Sequence, residues 1–360
     1  MKKFVWLLLI ASMTVVLSGC WDGDSSSSDD EGSYDKVSEV LSTDERTLFT
    51  EEELAVIDNM SDEEIVAAAN EELDTANSDG SISSDELAKV NAFYKMAAEK
   101  TDEGKVLYAV SSVATATDLV ASITARDADG KARMPIVSNA TNYIKASLVD
   151  SYYSSVSASI DSSLALLDNI DSSFAVNMSF SGTAYDVDYG DVLTLKAALE
   201  AAKMNIAYAY AYNIKSETNY LYLYDFTAEN EDFLTPSAEA EAVLSAQKAV
   251  ALAMLENLKA ANDYIAAETD SQSDDLVLID SKYAEDVNTY YDQIVDSVNG
   301  TSDFVYENMS ADLSKLFTVL ALRGYVTSTD DDTLGGLFGG DATNLQNLHM
   351  NILEAAGMAG

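Results

Sequence analysis

Residues Asp191–Tyr212 read DVLTLKAALEAAKMNIAYAYAY. Val192, Leu195, Leu199, Ala202 and Ile206 recur at spacings of three and four, the period of a helix face turned toward a core. Asp191 stands where an N-cap belongs. Tyr208, Tyr210 and Tyr212 fall on the last turns. Tyr220, Tyr222 and Tyr224 follow a polar break at Ser216-Glu217. This stretch predicts a long helix packed on at least one neighbour, and the same period recurs on either side of it.

Upstream, Val106, Val110, Val113, Thr117 and Val120 mark a helix over Thr101–Ala125. Pro135 sits near the start of another, whose buried face carries Tyr143, Val149, Tyr153, Val156, Ile160, Leu164 and Leu167. Between them Asp127-Ala-Asp129-Gly130 reads as a helix-breaking turn. Phe174–Asp188 changes period: Val176, Met178 and Phe180 alternate, Ser181-Gly182-Thr183 turns, and Tyr185 and Val187 alternate again. That pattern predicts a small β-hairpin. Downstream, Thr235-Pro236 reads as the start of a helix, with a stripe of Val243, Val250, Met254, Leu258, Ala261 and Ile265. Leu276, Ile279, Tyr283, Val287, Tyr290, Ile294 and Val298 mark the next helix. Phe304, Met309, Leu313, Leu316 and Leu320 mark a last core helix. Thr327–Asp341 is acidic, then Gly-rich, and Ala342–Ala356 reads as a short terminal helix. Only two prolines, Pro135 and Pro236, interrupt the chain, which favours long helices. The expected fold is all-α: an antiparallel helical array with one small hairpin.

The stretch with the clearest chemistry lies earlier. Ser61–Lys100 reads SDEEIVAAANEELDTANSDGSISSDELAKVNAFYKMAAEK. Ser61–Glu64 and Ser83–Glu86 form capping boxes, as does Thr50–Glu53 before them. Ile65, Ala69 and Leu73 line one helix. Leu87, Val90 and Tyr94 line the next. The loop between them, Thr75–Glu86, resembles the calcium loop of an EF-hand. Gly80 takes the turn position, Asn77 and Asp79 offer hard oxygens, and Ser81 offers a backbone carbonyl. Ile82 takes the aliphatic position, Ser83 the ninth, and Glu86 the bidentate twelfth. The first position holds Thr75 in place of Asp, with Asp74 one residue early. The resemblance implies one Ca²⁺ site with ligands among Asp74, Thr75, Asn77, Asp79, Ser81, Ser83 and Glu86. It implies weak binding, because a carboxylate is lost or displaced. The opposing reading is an acidic helix–turn–helix that holds no ion.

The N-terminus is expected to direct export. Lys2 and Lys3 precede a largely apolar run, Phe4–Leu17, too short to span a membrane stably. It ends in Leu17-Ser18-Gly19-Cys20, which resembles the lipobox of bacterial lipoproteins. The resemblance implies that residues 1–19 are a signal peptide and that Cys20 carries the lipid. Cys20 is the one cysteine of the chain, so no intrachain disulfide forms. Residues 20–42, rich in Ser, Asp and Gly, read as a disordered tether. Residues 43–100 form the EF-hand-like module, 101–326 the helical array with its hairpin near 174–188, and 327–360 the Gly-rich loop and terminal helix.

The paired helices also resemble tetratricopeptide-like arrays, without a strict repeat. Gly190–Leu193 after a hairpin and the tail Leu334–Phe338 resemble uncharacterised helical lipoproteins of environmental bacteria.

Composition narrows the function. The 360 residues carry 62 acidic and 20 basic side chains, a formal charge of −42, which repels the phosphates of nucleic acid. His349 is the one histidine, so a Ser-His-Asp triad has to use it, and zinc lacks His and Cys ligands. No Gly-rich phosphate loop is present. Trp6 and Trp21 lie in the signal and tether, leaving no Trp for a sugar-stacking platform. No enzyme is expected. The expected protein is a calcium-binding helical lipoprotein of the cell envelope, on its periplasmic or outer-surface side. Its expected partners are the membrane, through the lipid, and another envelope protein or a surface polymer. The alternative is a solute-binding component of a transport system, with Tyr208, Tyr212, Tyr220 and Tyr224 lining a groove. Core packing is the more ordinary use of such tyrosines.

Overall fold

The structure, a computed structural model, describes residues 36–76, 84–111, 146–180, 183–212, 235–268, 281–306 and 309–321. It opens on a 3-10 turn (Val37–Val40), then α1 (Thr43–Arg46), α2 (Glu51–Ile57), α3 (Asp62–Ala76) and α4 (Ser84–Ala98). A helical run over 102–111 is α5. Then come α6 (Ala146–Leu167), β1 (Ala175–Phe180), β2 (Thr183–Asp188), α7 (Tyr189–Ala211), α8 (Ala240–Ala267) and α9 (Ser281–Asn299). β3 (Phe304–Tyr306), β4 (Met309–Ala311) and a 3-10 helix (Leu313–Phe317) close the described chain. The fold is mainly helical, as the apolar stripes imply. No helix among the described residues is long and apolar enough to cross a membrane.

Side chains start the N-terminal helices where the sequence placed them. Thr50 caps α2, its hydroxyl accepting from Glu53 N at 3.1 Å while Glu53 accepts from Thr50 N at 2.6 Å. Ser61 and Glu64 make the same reciprocal pair before α3, at 3.3 and 2.8 Å. A further box joins Ser42 and Glu45 before α1. Each satisfies N–H groups that a helix start leaves without partners. Glu45 also reaches Lys95 of α4 at 2.8 Å. Burial pushes the Glu45 carboxyl up, but Lys95 and Ser42 outweigh it and hold the group below its ordinary value.

The central helix, α7, is apolar on nearly every face, as a helix surrounded by others must be. Val192, Leu199 and Ile206 join a core with Val37, Ile65, Val90, Tyr94, Leu107, Ile160, Leu167, Met178 and Val187. That core unites the N-terminal helices with α6 and the hairpin. Ala197 enters a second core with Met254, Leu255, Val287, Ile294, Phe304 and Phe317. Tyr208, Ala211 and Tyr212 enter a third with Ala240 and Leu244. The long helices pair antiparallel. Asp168 and Asp161 of the α6 end and body meet Lys196 and Lys203 of α7 in reversed order. Tyr189 at the start of α7 stacks edge-on against Tyr264 near the end of α8, with ring centres 5.9 Å apart. Gly190 permits this approach: a Cβ there would stand 2.9 Å from Ile265 Cγ1 and 3.0 Å from Tyr264 Cδ1.

The hairpin is where the alternation put it. Val176 faces Val187 and Met178 faces Tyr185 across an antiparallel register, and Met178 and Val187 are buried. Asp188 ends β2 and caps α7, its carboxylate accepting from Gly190 N at 2.7 Å and Asp191 N at 3.2 Å. Asp191 is thus the third helical residue and not the cap. It returns a bond to Asp188 N at 3.1 Å, completing a capping box.

Four further expectations are corrected. Residues 36–42, expected at the end of a disordered tether, are folded. Val37 and Leu41 are buried in the first core, and Ser38 N donates to Asp58 Oδ1 at 2.9 Å, because two apolar side chains spaced four apart suffice to dock this segment on the helices that follow. Thr235-Pro236 does not begin a helix. Pro236 bridges back to Tyr212, and α8 starts at Ala240. The buried face of α8 is Ala240, Leu244, Gln247, Ala251, Met254, Leu255, Ala261 and Asn262. Of the expected stripe Met254 and Ala261 are fully buried, and Val243 and Leu258 are half-buried against the third and second cores. The face is wider than the stripe, because α8 packs between α7 and α9 and buries alanines and two amides that an apolar count passes over. Finally, Phe304–Leu320 is not a helix. Gly300, at φ 76°, ends α9. Thr301 N bonds Asp296 O at 2.9 Å and Gly300 N bonds Ser297 O at 3.0 Å, a Schellman close. The chain then turns back as the β3–β4 pair, Phe304 facing Ala311.

Of the other expected segments, 1–35, most of Thr101–Ala125, Tyr143, Tyr222, Leu276, Ile279 and 327–360 lie outside the described residues, as do Cys20 and His349.

Candidate functional site

The helices on either side of the calcium-like loop pack against each other as an antiparallel pair. Tyr94 of α4 donates to Asn70 Oδ1 of α3 at 3.1 Å. Lys89 of α4 meets Glu72 of α3 at 3.2 Å and Glu53 of α2 at 3.7 Å, and its ammonium lies 5.8 Å from the ring centre of Phe49. Ile65, Val66 and Ala69 on α3, and Val90, Phe93 and Ala97 on α4, are buried. The two helix ends are thereby held close together.

α3 extends through Asp74 and Thr75 to Ala76, so the first loop positions belong to its last turn. Thr75 is exposed, and its hydroxyl donates to Glu71 O at 2.8 Å within the helix. Bonded so, the Thr75 oxygen keeps its lone pairs. Glu86 is exposed in the first turn of α4. Asn77, Asp79, Ser81 and Ser83 lie outside the described residues, and for Asp74 only the backbone is described. Among the described residues no cluster of three or more His, Cys, Asp or Glu stands ready to hold a metal ion.

The electrostatics of α3 are lopsided. Its first turn carries Asp62, Glu63 and Glu64, which suit the positive end of a helix dipole. Its C-terminal half carries Glu71, Glu72 and Asp74, and its last turn has no basic residue. Carboxylates there oppose the negative end of the dipole. Lys89 offsets one of them through Glu72.

The tyrosines at the end of α7 do a different job. Tyr208 and Tyr212 are buried. Tyr208 donates its hydroxyl to Leu316 O, and the Tyr212 hydroxyl accepts from Leu320 N at 3.0 Å. Burial pushes both hydroxyls up from the ordinary phenol value, so both stay protonated at neutral pH. These two residues pin the 3-10 segment onto α7 with their polar ends turned inward. Tyr220 and Tyr224 lie outside the described residues.

A further polar group sits where the apolar stripe ran. Glu200 is 6% exposed. Asn257 of α8 donates its Nδ2 to both carboxylate oxygens, at 3.1 and 3.0 Å. Burial pushes the Glu200 carboxyl up to about 7, while Asn257 and Lys196 pull the other way. The signal was present in Leu-Lys196-Ala-Ala-Leu-Glu200-Ala-Ala-Lys203. The three charges there are four and three residues apart, on one helix face, inside an otherwise apolar run.

Comparison with known proteins gives no relative: no family model, no curated protein and no solved structure matches this chain.

Proposed function

We propose that this chain is a lipid-anchored, calcium-binding helical protein of the bacterial cell envelope. In this reading it serves as a binding or scaffold protein for another envelope component. The observation that carries the reading is the crowding of acids at the C-terminal end of α3. Glu71, Glu72 and Asp74 stand against the negative end of the helix dipole, beside a loop whose order of Asn77, Asp79, Gly80, Ile82 and Glu86 follows an EF-hand. A divalent cation at the loop offsets both the side-chain charge and the helix-end carbonyls. The antiparallel packing of α3 and α4 supports the reading too, because it keeps Thr75 and Glu86 exposed at neighbouring helix ends. The proposed ligands are drawn from Asp74, Thr75, Asn77, Asp79, Ser81, Ser83 and Glu86. The alternative, solute binding in a tyrosine groove, gains no support from Tyr208 and Tyr212, whose hydroxyls are already bonded within the chain.

The anchoring half rests on Leu17–Cys20. Cys20→Ser removes the thiol that lipidation requires. The expected result is loss of the protein from the membrane fraction, or accumulation of the uncleaved precursor. Unchanged fractionation, with a mature N-terminus elsewhere, contradicts it. The calcium half has its own test, given at the end of the Discussion.

A further inference from the structure

Two ion pairs tie α6 to α7, one between Asp168 and Lys196 at 2.5 Å and the other between Asp161 and Lys203. Lys196 lies four residues before Glu200 and Lys203 three after it, so all three project along one face of α7. Glu200 is the middle rung of this ladder, and among the described residues no cation forms an ion pair with it. Each flanking lysine is held by an aspartate across the seam. From the other side, α8 gives it only the amide of Asn257, one nitrogen shared between two oxygens. A carboxylate so placed is costly when ionised, since its remaining lone pairs lie out of water. The neutral acid needs fewer partners and still accepts from Asn257.

We propose that Glu200 is a proton-operated latch at the junction of α6, α7 and α8: it carries a proton while the helices are packed, and giving up that proton weakens the pairing of α7 with α8. The charges facing it are named by element. Lys196 of α7 favours ionisation. Asp168, just past α6, and Glu256 of α8 oppose it. Lys203, on the same face, is engaged by Asp161. The direction of the linkage follows. The folded protein holds this proton up to about pH 7, whereas the unfolded chain releases it near the ordinary value of 4.5. The contribution to stability is therefore complete below pH 4.5, declines from there to about 7, and is lost above. This latch does not depend on calcium or on the lipid.

The test uses the full chain and its Glu200→Gln variant, unfolded in urea between pH 4.5 and 8.5 with a chelator in both samples. Taking the ratio of the two unfolding constants removes the shared effect of the other carboxylates. That ratio, wild type over variant, is expected to rise by up to about tenfold per pH unit through the window and then level off. A ratio independent of pH overturns the proposal. If Glu200→Gln does not fold, the side-chain carboxyl carbon of Glu200 in the wild-type protein decides by NMR. Titration near neutral pH supports the latch, and titration in the range of exposed glutamates overturns it.

Discussion

The Tyr212 hydroxyl accepts the backbone N–H of Leu320 at 3.0 Å, joining the end of α7 to a residue 108 positions later. The bond is buried. Tyr212→Phe keeps the ring and leaves the Leu320 N–H without an acceptor. The expected loss is about 1–3 kcal/mol, the cost of an unsatisfied buried donor, read as a shift in urea midpoint with unchanged slope. A variant as stable as wild type contradicts this role.

Asp188 has two tasks, closing β2 and capping α7 through Gly190 N and Asp191 N. Asp188→Ala removes the cap and is expected to cost about 1 kcal/mol. Asp188→Asn keeps a side-chain oxygen in place and should recover most of the loss. If Ala and Asn prove equal, the box that links hairpin to helix is not contributing.

Gly104 marks where α5 crosses the end of α4. A Cβ on it would lie 2.2 Å from Ala97 O and 2.3 Å from Ala97 C. These are backbone atoms that no rotamer change moves aside. Its N–H is bonded to Thr101 Oγ1 at 2.8 Å, which fixes the helix start. Gly104→Ala is expected to destabilise the protein by about 3 kcal/mol, at the upper end of overpacking costs, although Ala is the better helix former. A rise in melting temperature for this variant would mean that α4 and α5 are farther apart.

These sites show what the sequence made legible. The α3 and α7 stripes, the boxes at Thr50 and Ser61, and the β1–β2 hairpin depend on near neighbours, so a short window of sequence contains their cause. The cap stands at Asp188, three residues before the expected Asp191, and both are sound caps locally. Only the end of β2 decides between them. Phe304–Leu320 has apolar spacings close to a helix. The segment is held otherwise by distant partners: Ser297 donates to Ala311 O and accepts from Leu313 N, both at 2.9 Å. Tyr208 and Tyr212 then clamp its end. Glu200 lies outside any apolar stripe, and its partner Asn257 stands on another helix, 57 residues away. Of the candidate calcium site, the two helices and their ends were legible from caps and periodicity. What an ion requires, the convergence of oxygens, is a property of the loop in three dimensions.

The most direct test of the calcium claim is the melting temperature of the full chain, with chelator and with millimolar calcium, for wild type, Glu86→Gln and Asp79→Ala. With Thr75 at the first position the expected dissociation constant is roughly 10⁻⁴–10⁻³ M, the range of extracellular modules. Mass action then adds a few tenths of a kcal/mol near that constant and about 2.7 kcal/mol at one hundred times it. The account predicts a calcium-dependent rise in wild type that Glu86→Gln abolishes and Asp79→Ala nearly abolishes. No shift in wild type at millimolar calcium, together with no heat of binding, would contradict it and leave Thr75–Glu86 as a polar turn.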